Sequence, residues 1–142
     1  MKKIKEICIG KKVNIKEHNA DYLDENGINL RKGIIDAFNI APQFGVLQTQ
    51  ITLQKCLVYG IKTNDFLNDA YRSGKWKKWL YKNKASNISL CSLIAGHYVF
   101  SFDSYKTIVD KINKYENFSE TVINEVMKII RLYSESSNTN PR

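Results

Sequence analysis

No carboxylate occurs between Asp69 and Asp103. A segment without acids cannot neutralise its own cations, so every basic residue inside it adds to a field of one sign. Cysteine is scarce: Cys8, Cys56 and Cys91 are odd in number and far apart. That argues against a disulfide framework and for reduced, buried thiols. The glycines form neither GxxxxGK nor GxGxxG, and no GxSxG occurs, which excludes a standard phosphate loop and a nucleophile elbow. Long apolar runs are lacking too. Residues 90–95 are the densest stretch, and Ser92 breaks them, so no membrane span is expected. Lys5, Glu6, Lys11 and Lys12 interrupt any apolar run near the start, which speaks against a signal peptide. The expectation is a cytoplasmic protein with no membrane contact.

What is present fits one globular domain. The 142 residues are 43% apolar and 25% charged, which is ordinary for a folded chain. Residues 134–142 (SESSNTNPR) hold no large apolar side chain and are expected to form a disordered tail after a domain over 1–133. The net charge of +8 is unevenly spread. Residues 1–17 carry +4, 18–69 carry −2, 70–102 carry +6, and 103–142 balance. Such bias suits nucleic acid or another anionic surface. The cations are 18 Lys and four Arg in a chain also rich in Ile, Asn and Tyr, the usage an A+T-rich coding sequence produces by itself. Lysine meets phosphate as a point charge, whereas arginine is the better fork for bases, so backbone contact is favoured over sequence readout.

The pattern predicts a mainly α (α-rich α+β) fold of five to six helices after an N-terminal β-hairpin. Residues 3–16 (KIKEICIGKKVNIK) combine β-branched Ile4, Ile7, Ile9, Val13 and Ile15 with a turn at Gly10-Lys11-Lys12. Leu30, Ile34, Ile35 and Phe38 share a helical face that Pro42 ends; a second helix spans 46–59 and stops at Gly60. Thr63 or Asn64 caps a third, with Phe66, Leu67, Ala70 and Tyr71 inward and Ser73-Gly74 at its end. A short fourth helix is expected over 75–83, placing Trp76, Trp79 and Leu80 on one face and Lys75, Lys78 and Lys82 on the next. Residues 86–102 suit either a buried helix to about Tyr98 or two short strands, the helix being preferred. Tyr105, Ile108, Val109, Ile112 and Tyr115 mark a further amphipathic helix, and Ser119 is expected to cap the last.

The candidate site is the basic block: Arg72, Lys75, Lys77, Lys78, Lys82 and Lys84, with Trp76 offered for stacking on a base. The competing reading buries both tryptophans and leaves the lysines as a solvated face, although such faces normally mix signs. Lys2, Lys3, Lys5, Lys11, Lys12 and Lys16 either extend the surface or protect a hairpin edge, and edge protection is the better account. A helix-turn-helix over 52–72 is disfavoured because Asp65 and Asp69 would face phosphates. Catalysis and metal binding have little support. His18 and His97 are isolated, the three cysteines lack a close ligand pair, and Asp21, Asp24 and Glu25 read as a solvated turn rather than a Mg²⁺ site.

Residues 66–80, FLNDAYRSGKWKKWL, resemble the middle of the KilA-N domains of viral and phage DNA-binding proteins, which carry a similar run of Asn, small residue, Gly-Lys and Trp-Leu. The flanks do not follow that family's pattern. The resemblance implies DNA binding. The function expected is therefore a non-enzymatic nucleic-acid-binding protein, a regulator or a subunit of a nucleoprotein complex, with no metal or cofactor. The alternative is a protein–protein interaction module, such as an inhibitor, adaptor or homo-oligomeric scaffold, since the aromatic supply would serve an interface as well as a core.

Overall fold

Apolar residues spaced three or four apart dominate the chain, and the computed structural model, which describes residues 2–80 and 87–138, is mainly helical. In order it contains α1 (Lys2–Gly10), β1 (Lys16–Glu17), α2 (Glu25–Asn29), β2 (Ala37–Phe38), α3 (Pro42–Val58), α4 (Asn64–Arg72), a 3-10 turn (Lys75–Trp79), α5 (Ile88–Ala95), a second 3-10 turn (Gly96–Val99), α6 (Asp103–Ile112) and α7 (Phe118–Asn138). No helix among the described residues is long and apolar enough to cross a membrane. Two compact units make up the chain: Met1–Gln43 with Glu125–Arg142, and Phe44–Asn124.

In the first unit the expected N-terminal hairpin is replaced by a helix. Ile4, Ile7 and Cys8 fall at i, i+3 and i+4, a spacing that serves a helix as well as the β-branching serves a strand. The end of α1 is closed by its own backbone. Val13 N donates to Cys8 O (3.0 Å) and Lys12 N to Ile9 O (3.0 Å), with Lys12 in the left-handed region at φ 55°. That is a Schellman ending. The strand that follows pairs with a distant partner: Lys16 aligns with Ala37 and Glu17 with Phe38, in parallel. Parallel strands need a crossover, and here it contains α2.

Carboxylates in this unit cap and pair. Asp24 accepts from Gly27 N (2.7 Å) at the start of α2, and Asp21 accepts from Gln43 N (2.8 Å) and Ala41 N (3.2 Å) at the start of α3. Pro42 therefore opens a helix instead of ending one, the first-turn position where its missing N–H costs nothing. Arg31 holds Glu17 with Nε 2.7 and 2.9 Å from the two oxygens, and Lys5 holds Asp36 at 2.6 Å. Tyr133, 6% exposed, donates to Ala20 O, accepts from Leu23 N (3.1 Å) and meets Phe38 edge-on. The helix carrying it runs on to Asn138, so residues 134–138 of the expected tail are helical; 139–142 lie outside the described residues.

The second unit holds the larger core. Phe66 and Ala70, one turn apart on α4, are fully buried among Ile51, Cys56, Val99, Tyr105, Ile108 and Ile112. Gly96 lets the second 3-10 turn approach α3 and α4. A Cβ there would sit 2.5 Å from Thr49 Cγ2 and 3.0 Å from Phe66 Cζ. The buried hydroxyls of Thr49 and Thr52 donate to carbonyls one turn back, at 2.9 and 2.8 Å. Of the segment 86–102, the described residues 87–102 follow the helical alternative, with α5 and the second 3-10 turn within them. Asn117, not Ser119, caps α7, its Oδ1 accepting from Glu120 N at 3.2 Å.

Gly60 ends α3 as Lys12 ends α1, with Ile61 N on Cys56 O at 2.8 Å and φ 63°. A Cβ at Gly60 would meet nothing within 4 Å, so substitution there carries only the backbone cost. Lys12→Gly should stabilise the protein by about 0.5 kcal/mol and Gly60→Ala should destabilise it by about 1 kcal/mol. Urea unfolding of both variants checks the pair of opposite signs.

Candidate nucleic-acid interface

The basic block starts where α4 stops. Ser73 Oγ donates to Ala70 O at 2.6 Å, and Gly74 takes φ 65°, a left-handed step that a side chain resists. The chain then tightens into the Lys75–Trp79 3-10 turn where an α-helix over 75–83 was expected to begin; residues 81–83 lie outside the described residues. With three residues per turn, Lys75 and Lys78 share one edge, Trp76 and Trp79 a second, and Lys77 the third.

Trp76 anchors this turn. Its ring is 4% exposed, stacks on Tyr71 at 5.4 Å and 12°, and sits in a cluster with Cys91 and Ala95. Its Nε1 donates to Tyr71 O at 2.9 Å. This corrects the sequence reading: an indole so enclosed presents no face to a base. Trp79 is the exposed ring, at 45%.

The cations divide into two kinds. Lys78 Nζ lies 4.9 Å from the Trp79 ring centre and 4.7 Å from that of Tyr98, held by two π-faces. Lys77 Nζ lies 5.8 Å from the Trp76 ring. Arg72 and Lys75 are exposed. None of the four has a carboxylate within ion-pair distance among the described residues. The two nearest acids in sequence are otherwise engaged, Asp69 with Ser104 Oγ (2.6 Å) and Asp103 with Lys106 (3.4 Å). Lys82 and Lys84 lie outside the described residues.

His97 is the ionisable neighbour. Its ring lies against Tyr98 and over Gly45, where a Cβ would come within 2.6 Å of it. Burial, and then the Lys78 ammonium, pull its pKa below the ordinary 6.5. Tyr98 and Trp79, whose rings meet Lys78, were not selected by sequence reasoning. Tyr98 closes an apolar run that read as plain core, and spacing alone does not say which of two tryptophans a short turn buries.

The other candidates separate from this block. Lys3, Lys5, Lys11, Lys12 and Lys16 belong to the first unit, and Lys5 is committed to Asp36. Asp65, exposed on α4, remains an acid on the face that a recognition helix would use. No group of three or more potential metal ligands occurs among the described residues. The chain matches no family model, no curated protein and no solved structure, so the KilA-N resemblance stays a likeness of residues 66–80 alone.

Two outcomes follow. Lys78→Ala should cost about 0.5–1 kcal/mol through the lost ring contacts, while Lys75→Ala should be neutral within error, as read by thermal melts. The fold holds the His97 pKa below that of the unfolded chain, near 6.5, so its contribution is complete above that pH and is lost as pH falls from there toward the lower folded value. The stability difference between wild type and His97→Gln should shrink on acidification from neutral pH.

Proposed function

We propose that the chain is a non-enzymatic nucleic-acid-binding protein of the cytoplasm, a regulator or a subunit of a nucleoprotein complex, which grips phosphates with Arg72, Lys75 and Lys77. The observation that carries this reading is the set of cations at the end of α4 and on the 3-10 turn that no described carboxylate neutralises. Lys82 and Lys84 continue the same acid-free segment in sequence. Lys78 contributes to the field but is held by its rings, and Trp79 supplies an exposed aromatic edge beside it. Backbone contact by lysine favours weak sequence preference and strong salt dependence.

A protein-binding role is the second reading. It is favoured by Leu57 and Val58, 84% and 71% exposed on the last turn of α3. Apolar side chains at such exposure serve a partner surface if they join a larger patch.

Fluorescence anisotropy with random duplex DNA, single-stranded DNA and RNA across a salt series tests the first reading. Each neutralised phosphate adds about −0.9 to the log–log slope on duplex, so the triple variant Arg72→Glu/Lys75→Glu/Lys77→Glu should flatten it by roughly 2.7 and abolish tight binding. Unchanged affinity in that variant would sink the assignment.

A further inference from the structure

A second cationic site lies in the Phe44–Asn124 unit, away from the basic block in sequence. Tyr59, at the end of α3, and Tyr115, after α6, stack face to face with ring centres 4.4 Å apart and planes 7° from parallel. Tyr59 is half-buried against the core, whereas Tyr115 is 63% exposed. Beside them is a pocket of about 380 Å³, lined by the two tyrosines, Ile61, Lys62, Lys111 and Lys114. No lining residue carries a carboxylate. The adjacent Glu116 is taken by Lys55 at 2.6 Å, and none of the three lining lysines has an ion-pair partner among the described residues.

Helix chemistry explains only part of this. Lys111 sits in the last turn of α6, where a cation offsets the helix dipole. Lys62 comes from another segment, the loop after Gly60, and Lys114 lies beyond the helix end. Their convergence on a tyrosine stack joins the two components of sequence-tolerant strand binding, an aromatic platform and fixed cations for the backbone.

We propose that this pocket takes a nucleotide of a single strand, its base stacked on the open face of Tyr115 and its neighbouring phosphates on Lys62, Lys111 and Lys114. A strand fits better than a free nucleotide. Sites for small ligands enclose most of the ligand and fix it with placed polar groups. Here the side chains offered are rings and ammonium groups, which hold any base but read none. Lys62 precedes α4 and Arg72 ends it, so the two sites flank a nine-residue helix, roughly 14 Å long. The proposal names residues distinct from those of the phosphate-gripping surface and fails or stands separately from it.

The test uses the full chain and an oligo-adenylate carrying 2-aminopurine. Stacking should quench the probe, and Tyr115→Leu should abolish the quench and weaken strand binding about tenfold, while Tyr115→Phe retains both. Lys111→Gln/Lys114→Gln should flatten the single-strand salt slope by about 1.4 and leave the melting temperature near that of wild type. Strand affinity indifferent to Tyr115→Leu, or no strand binding, overturns the proposal. So does adenosine monophosphate that competes as strongly as the oligonucleotide. If these variants are silent while Arg72→Glu/Lys75→Glu/Lys77→Glu still loses duplex, only the tyrosine site is lost.

Discussion

The contact on which the basic turn depends is the indole of Trp76 laid on Tyr71 and bonded to that residue's carbonyl. A 3-10 turn is too short to hold itself together in water, because few internal hydrogen bonds offset the lost chain entropy. Lys75–Trp79 keeps its shape because one large ring is sunk among Cys91 and Ala95. The positive φ at Gly74 swings the chain off α4 so that this ring can enter. Packing thus decides where the cations stand: the side chains that meet solvent are those left over once Trp76 has been buried.

Charge is handled in two ways at the end of α4 and on that turn. Lys78 lies over the rings of Trp79 and Tyr98, which partly satisfy its ammonium. Arg72 and Lys75 are exposed without such ring contacts among the described residues. Elsewhere the fold pairs some cations with acids, Lys5 with Asp36, Arg31 with Glu17 and Lys55 with Glu116, and leaves others, such as Lys62, Lys111 and Lys114, without an ion pair among the described residues.

Much of the helical part was legible because period and punctuation agree. Phe66 and Ala70 with Gly74 after them, or Tyr105, Ile108 and Ile112, mark both the inward face and its end. The first forty residues were not legible for equally physical reasons. Ile4, Ile7 and Cys8 fit a helical face while Ile7 and Ile9 alternate as in a strand, and the helix ends in a left-handed turn at Lys12, a residue that gives no warning of positive φ. Strands of two residues are too short to show alternation, and their parallel pairing joins positions 21 apart. At the site, the acid-free segment was visible in the sequence, whereas the choice of Trp76 over Trp79 for burial belongs to the tertiary packing. The Tyr59–Tyr115 platform had no local sign, since its rings come from the turns that follow two different helices.

The thiols carry a consequence of the same packing. Cys56 is 1% exposed and burial pushes its pKa up to about 11; Cys91 is fully enclosed; Cys8 alone is half-open, on α1. Alkylation follows the accessible thiolate, so the native chain offers a reagent one prompt handle and two latched ones. The slow pair then works as a clock for opening of the Phe44–Asn124 unit, while the prompt one reports on the first unit, where α1 carries it.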